Sequence, residues 1–168
     1  MHAEKVFLLL IALSLSSATT LAQSKDDDPA AIIELGGAAS RSIRDSDSAF
    51  GPTMAVETTP VGNWLELEMG VTPLFSHGSA EWGIDLLFKK PWTLSPKAEL
   101  MVGIGPEWIH TKAANSGSIA AVLDFMYWPL GKHKIGWYIE PGYEYNLARG
   151  HERSLGVSCG LLIAIWRQ

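Results

Sequence analysis

Cysteine is almost missing from this chain: Cys159 is the single one in 168 residues. An intramolecular disulfide is therefore impossible, and the paired C-x-x-C spacing of a zinc site is absent. Cys159 reads as a small apolar residue on a buried or lipid-facing surface. Charge is also scarce, at 18% of residues, which is low for a soluble domain. Beyond the N-terminus no apolar run approaches the ~20 residues that a membrane helix requires. The net charge of −5 argues against general nucleic-acid binding. What is abundant is apolar side chains, 47% of the chain, and seven tryptophans, scattered or alternating rather than in runs. That distribution belongs to β-strands.

The first residues read as an export address. Lys5 precedes an apolar run from Val6 to Leu15, and Ser16, Ser17, Ala18, Thr19, Thr20, Leu21 and Ala22 follow. This is the order of a signal peptide, with Thr20 and Ala22 at the small positions and cleavage expected after Ala22. The expected organisation is a signal peptide over 1–22, a linker over 23–30 carrying Asp26, Asp27 and Asp28, and one barrel over 31–168.

From Ala31 onward, eight segments alternate apolar and polar residues. They are expected at about Ala31–Ser40, Pro52–Thr59, Trp64–Thr72, Ala80–Lys89, Lys97–Thr111, Ser118–Trp128, Ile135–Leu147 and Ser154–Arg167. Of these, Pro52–Thr59 is short against the roughly 9–11 residues of a tilted membrane strand. Prolines mark Pro60–Asn63, Lys90–Pro96 and Pro129–Lys134 as tight turns, since proline lacks a ladder donor. The opposite connections, Arg41–Phe50, Phe75–Ser79, Lys112–Gly117 and Ala148–Arg153, are expected to face the cell exterior.

Alternation does not say which face points outward. Gly36, Gly70, Gly83, Gly103, Gly105, Gly142, Gly156 and Gly160 share the polar face, as a narrow interior would need. Bulky apolar side chains fill the other face, which lipid accepts without a packing limit. Trp64, Trp82, Trp108, Trp128, Trp137, Tyr145 and Trp166 cluster near segment ends, as in an interfacial girdle. The expected fold class is therefore all-β, a single antiparallel up-and-down transmembrane barrel of about eight strands. The last segment, Leu155 to Trp166, alternates and is aromatic near its end. With the signal peptide, the eight segments and the tight turns, the chain resembles the small outer-membrane β-barrels of the OmpA/OmpX type. The resemblance implies an integral outer-membrane protein and transfers no catalytic or binding motif. In those barrels the terminal residue is usually aromatic, whereas Arg167 and Gln168 follow Trp166 here.

Two groups of residues stand out as site candidates. The polar face is acidic: Glu34, Glu57, Glu66, Glu68, Glu81, Asp85, Glu99, Glu107, Asp124, Glu140 and Glu144 share it, with Lys89 and Lys97 as the cations. Bare carboxylates inside a narrow barrel are costly, so rim placement, protonation, water or cations must relieve them. This motivates a hydrogen-bonded polar core or, as an alternative, a narrow cation-preferring channel. Arg41, Arg44, Arg149 and Arg153 fall in the expected surface loops, where guanidinium forks suit the phosphates of lipopolysaccharide. Outer-membrane lipid and lipopolysaccharide are the expected partners; no cofactor and no metal is expected. His77, Ser79 and Glu81 have the residue types of a catalytic triad at i, i+2, i+4 spacing, but in a tight loop, and no enzyme is expected. A soluble lipocalin-like barrel with its apolar face inside is the remaining alternative.

Overall fold

The computed structural model describes residues 29–76, 79–130, 134–148 and 151–166. The expected signal peptide, most of the linker, and Arg167 and Gln168 lie outside the described residues. Eight strands follow in order: β1 (Ala31–Ser42), β2 (Ser48–Val61), β3 (Leu65–Ser76), β4 (Ser79–Ser95), β5 (Ala98–Thr111), β6 (Asn115–Tyr127), β7 (Ile135–Asn146) and β8 (Arg153–Ile165). Each pairs antiparallel with its neighbours, and β8 returns to β1 to close the barrel. Closure matters because a free edge would leave backbone groups unpaired.

The two faces of the sheet differ sharply. Leu35, Met54, Met69, Phe88, Ile104, Leu123, Ile139 and Leu161 are exposed on the outside, and Glu34, Glu57, Glu68, Lys89 and Asp124 are buried within. This is the inverse of a lipocalin-like barrel, so the soluble alternative with an apolar interior is corrected. Cys159 sits on the exposed outer face.

Several strands are longer than the sequence suggests. β2 begins at Ser48, and its pairing with β1 runs through Phe50 and Pro52, so the expected loop Arg41–Phe50 shrinks to 43–47. β4 continues through Pro91 to Ser95, pairing Pro91 with Met101, in place of the turn expected from Lys90. Pro60 lies in β2 beside a register shift between Thr58 and Val61. Pro73, Pro106 and Pro141 are also strand residues. A strand residue aims its N–H at only one of its two neighbours, so Pro52, Pro73, Pro91, Pro106 and Pro141 each forfeit one ladder bond and stay paired across the opposite seam. The loops on one side are consequently short, and Asn63 makes one tight turn with φ of 57°, a conformation Asn tolerates.

Trp128 departs from the aromatic girdle expected of it and is a correction: it is fully buried inside the barrel. It continues the inward register of Asp124 and Met126, and with Ile32, Met101, Met126, Tyr138 and Leu162 it fills the turn end. Gly136 makes room for it, since a Cβ there would lie 2.8 Å from the Trp128 ring. Trp82, Trp92, Trp108 and Trp137 do face outward.

Several glycines lie close against the backbone of a neighbouring strand. Gly36 pairs with Gly160 across the β1–β8 seam that closes the barrel, and a Cβ on Gly160 would run into the Leu35 carbonyl. Gly160→Val is expected to destabilise the folded barrel by about 1–3 kcal/mol through overpacking. Denaturant unfolding in detergent, read by the gel-mobility shift on heating, measures it; an unchanged midpoint would mean that the seam can spread without loss.

Candidate functional site

The inner face is layered along the barrel axis. At the turn end Met101, Met126, Trp128 and Leu162 are completely buried. Next comes a charged cage around Lys89, delivered from β4 by the alternation that also turns Asp85 and Leu87 inward. The Lys89 ammonium meets Asp124 at 2.8 Å, Glu140 at 2.7 Å and Glu57 at 3.6 Å, and contacts Glu68 as well. The four partners come from four strands, β6, β7, β2 and β3. The lysine and Asp124 are wholly buried, so each charge depends on the other for compensation.

On the loop side of the cage is a cavity of about 100 Å³ lined by, among others, Glu34, Glu68, Glu81, Asp85, Glu107, Glu140 and Glu144. Above it a mouth of about 300 Å³ is lined largely by serine hydroxyls and by the charged residues Asp45, Asp47, Glu81, Glu144, Glu152 and Arg153. Two carboxylates of this upper level are held by hydroxyls. Ser118 Oγ donates to Glu107 at 2.7 Å, and Ser154 Oγ donates to Glu144 at 2.8 Å. Small residues at Gly70, Gly83 and Gly142 leave the free space. The result is a well, open at the loop end and closed by the cage and the apolar plug.

The expected interior residues Glu66, Glu68, Glu81, Asp85, Lys89, Glu99, Glu107, Asp124, Glu140 and Glu144 all lie on the inward register of their strands. They do not form one site. Glu57, Glu68, Asp124 and Glu140 converge on Lys89, with Glu34 beside them; Glu81, Glu107 and Glu144 line the upper well; Glu66 and Glu99 lie toward the turns. Lys97 is a correction: its ammonium lies at the exposed turn end and donates to the Pro129 carbonyl, because β4 continues to Ser95 and leaves Lys97 in the turn. The serines of the mouth escape sequence reasoning, because a serine on the polar face of a strand is too common to signal anything alone. One oxygen from each of Glu34, Glu57, Glu68 and Asp124 lies within 4.8 Å of the others, but three of these four carboxylates already hold the Lys89 ammonium.

The arginines divide differently. Arg41 lies one residue before the end of β1, on its outer register, Arg153 opens β8, and the Ile43 amide donates to the Arg153 carbonyl at 2.9 Å. Arg44 is exposed in the adjoining loop. These three therefore share one side of the loop end; Arg149 lies outside the described residues. His77 also lies outside them, Ser79 Oγ is engaged with the Ser76 carbonyl at 2.8 Å, and Glu81 turns into the well.

No protein-family model matches the sequence, and no curated protein matches it significantly in sequence. Solved structures do match the fold. Neisserial surface protein A (NspA) superposes with a TM-score of 0.61 at 13% identity, over 80% of this chain and 96% of that one. Ail, the attachment invasion locus protein of Yersinia pestis, superposes with a TM-score of 0.52 at 13% identity, over 81% of this chain and 98% of that one. Both are small outer-membrane barrels of eight strands. The chain has the fold of the small eight-stranded outer-membrane β-barrels, the OmpA/OmpX type.

Proposed function

We propose that this protein is an integral outer-membrane barrel, exported through a cleaved signal peptide, whose role is non-enzymatic and consists of surface interaction at the loop end. The observation that carries the membrane reading is the continuous outer band of large apolar side chains, exposed on every strand, around an interior of carboxylates. Only a lipid solvent makes that arrangement favourable, because water would solvate the opposite face. Cell fractionation with boiled and unboiled samples tests it. An outer-membrane protein that shifts on boiling fits; a soluble periplasmic protein with no shift refutes the reading.

The arginines supply the surface-interaction part. Arg41 and Arg153 emerge on neighbouring strands just loop-ward of Leu35, Ala39, Leu155 and Val157, at the height expected for lipid phosphates. Their guanidinium groups are fitted to lipopolysaccharide phosphate. Arg41→Gln with Arg44→Gln and Arg153→Gln is expected to lower co-purifying lipopolysaccharide several-fold while leaving the heat-shifted band unchanged. Equal lipopolysaccharide in the variant would remove the arginines from the assignment.

The channel alternative has no open path to support it. Lys89, Met101, Asp124, Met126, Trp128 and Leu162 each have 0% exposure, so among the described residues the cage and the plug close the barrel toward the turns. Purified protein in planar bilayers is expected to give no steady conductance; a cation-selective current would restore the channel reading.

A further inference from the structure

We propose that the loop-end well binds a linear aliphatic polyamine, whose ammonium groups lie along Glu34, Asp85 and Glu107. This holds whether or not the arginines contact lipopolysaccharide.

The cage is not the site, because Glu57, Glu68, Asp124 and Glu140 already hold the Lys89 ammonium. The cavity above it is different. Glu34, Glu81, Asp85, Glu107 and Glu144 line it without taking part in those ion pairs, and no lysine, arginine or histidine among the described residues lines it. Glu34 is 2% exposed, and its Oε1 has no hydrogen-bond partner. Asp85 Oδ1 is likewise buried without one. Such oxygens are costly, and a charged N–H donor relieves them. Both residues border the cavity, so one extended ligand reaches both.

The arrangement selects a chain over a single ion. Across the sheet Glu34 pairs with Ala55, Ala55 with Gly70, Gly70 with Asp85, Asp85 with Glu107, Glu107 with Ser118 and Ser118 with Asn146. Strand tilt makes such a row climb the barrel. It begins at Glu34 beside the cage and ends at Ser118 and Asn146 in the mouth. The carboxylates are therefore spread along an ascending path instead of converging on a point. Asp85 and Glu107 stand on adjacent strands, which lie roughly 4.7–4.9 Å apart, close to the spacing of two amines joined by three methylenes. Ala55 and Gly70 keep the path open between Glu34 and Asp85, and Leu87, Ala120 and Val122 offer apolar surface to the methylenes.

Volume and access agree with this. A water-sized group takes roughly 10–15 Å³ of such space, so a cavity of about 100 Å³ has room for a chain of several non-hydrogen atoms. The mouth of about 300 Å³ continues it. There Asp45, Asp47, Glu81, Glu144 and Glu152 outnumber Arg153, and their field concentrates polycations at the entrance.

The test uses the full barrel refolded into detergent without lipopolysaccharide, with spermidine alone as the probe. Equilibrium dialysis at low ionic strength is expected to show one saturable spermidine per chain. Ethylamine, with a single ammonium, is expected to bind the same barrel at least tenfold more weakly. Asp85→Asn combined with Glu107→Gln is expected to weaken spermidine binding tenfold or more, and Glu34→Gln several-fold. Glu99→Gln removes a carboxylate at the turn end, outside the well, and leaves binding within about twofold. The heat-induced gel shift verifies that each variant is folded. A folded wild-type barrel that takes up no spermidine overturns the proposal by itself, whatever the variants do. Ethylamine binding as tightly as spermidine overturns it too, since the row would then not act as a row. Binding that the Asp85 and Glu107 double variant leaves intact also overturns it, by moving the polyamine to the acidic rim.

Discussion

Replacing Lys89 by Met is expected to be the most damaging single change in the barrel, costing about 3–5 kcal/mol of folding stability. The methionine has a similar length, so packing is nearly conserved and the loss reports charge. Without the ammonium, Asp124 and Glu140 lose their close ion-pair contacts at 2.8 and 2.7 Å, and Glu57 and Glu68 lose the same cation. Asp124 and Glu57 are buried away from water, and Glu68 and Glu140 border only the small cavity above the cage. Lys90→Met is the matched control. Its ammonium lies at the exposed turn end and donates to the Asn63 carbonyl, so removing it should change stability by less than about 1 kcal/mol. Urea unfolding of both variants in detergent micelles decides the matter. If Lys89→Met unfolds with the wild type, the carboxylates are neutral without help and the cage is not an ion-pair network.

Ile104→Arg is expected to have the next-largest effect, and it probes the other face. Ile104 lies mid-strand in β5, is 58% exposed, and pairs with Phe88 and Ala121 across its two seams. In a bilayer that position is near the midplane, where an arginine costs about 2–4 kcal/mol. Leu130, 80% exposed in the β6–β7 turn, is the control. Leu130→Arg lies at the wet end, where the same substitution should cost about 0–1 kcal/mol. Folding into lipid vesicles separates the two. Equal effects at both positions would mean that the outer band is not immersed in hydrocarbon.

Most of the barrel is legible in the residue order because a strand's side chains alternate with period two. With Glu66, Glu68 and Gly70 opposite Leu67 and Met69, the composition of both faces of β3 follows. Strand ends are less legible, and proline is the reason. Pro52 and Pro91 look like breaks, but each sits where a strand can lose one hydrogen bond on one side and keep the other seam, and Pro60 falls at the register shift near the end of β2. Trp128 misleads because an aromatic at a segment end fits a girdle and an interior plug equally well. Its direction depends on whether the inward register of Asp124 and Met126 persists one step past the strand, which it does.

The acidic character of the interior is visible in the sequence, but its division is not. Alternation puts eleven carboxylates on one face without saying how high each sits, because strand tilt and register set height and neither is written locally. Only the closed barrel brings Lys89 from β4 to Glu57, Glu68, Asp124 and Glu140, whose nearest member in the chain is 21 positions away. Pairing of β1 with β8 likewise brings Arg41 and Arg153 to one side, although they stand at opposite ends of the barrel sequence.

The sequence by itself determined the alternating strands, their approximate number and the composition of each face, since these follow from side-chain period and turn chemistry, which are local. The tertiary structure decided which face meets the outside, where the interior is open and which charges compensate one another. Those depend on closure and shear, which join strands far apart in the chain, and no local pattern encodes the height at which distant side chains meet.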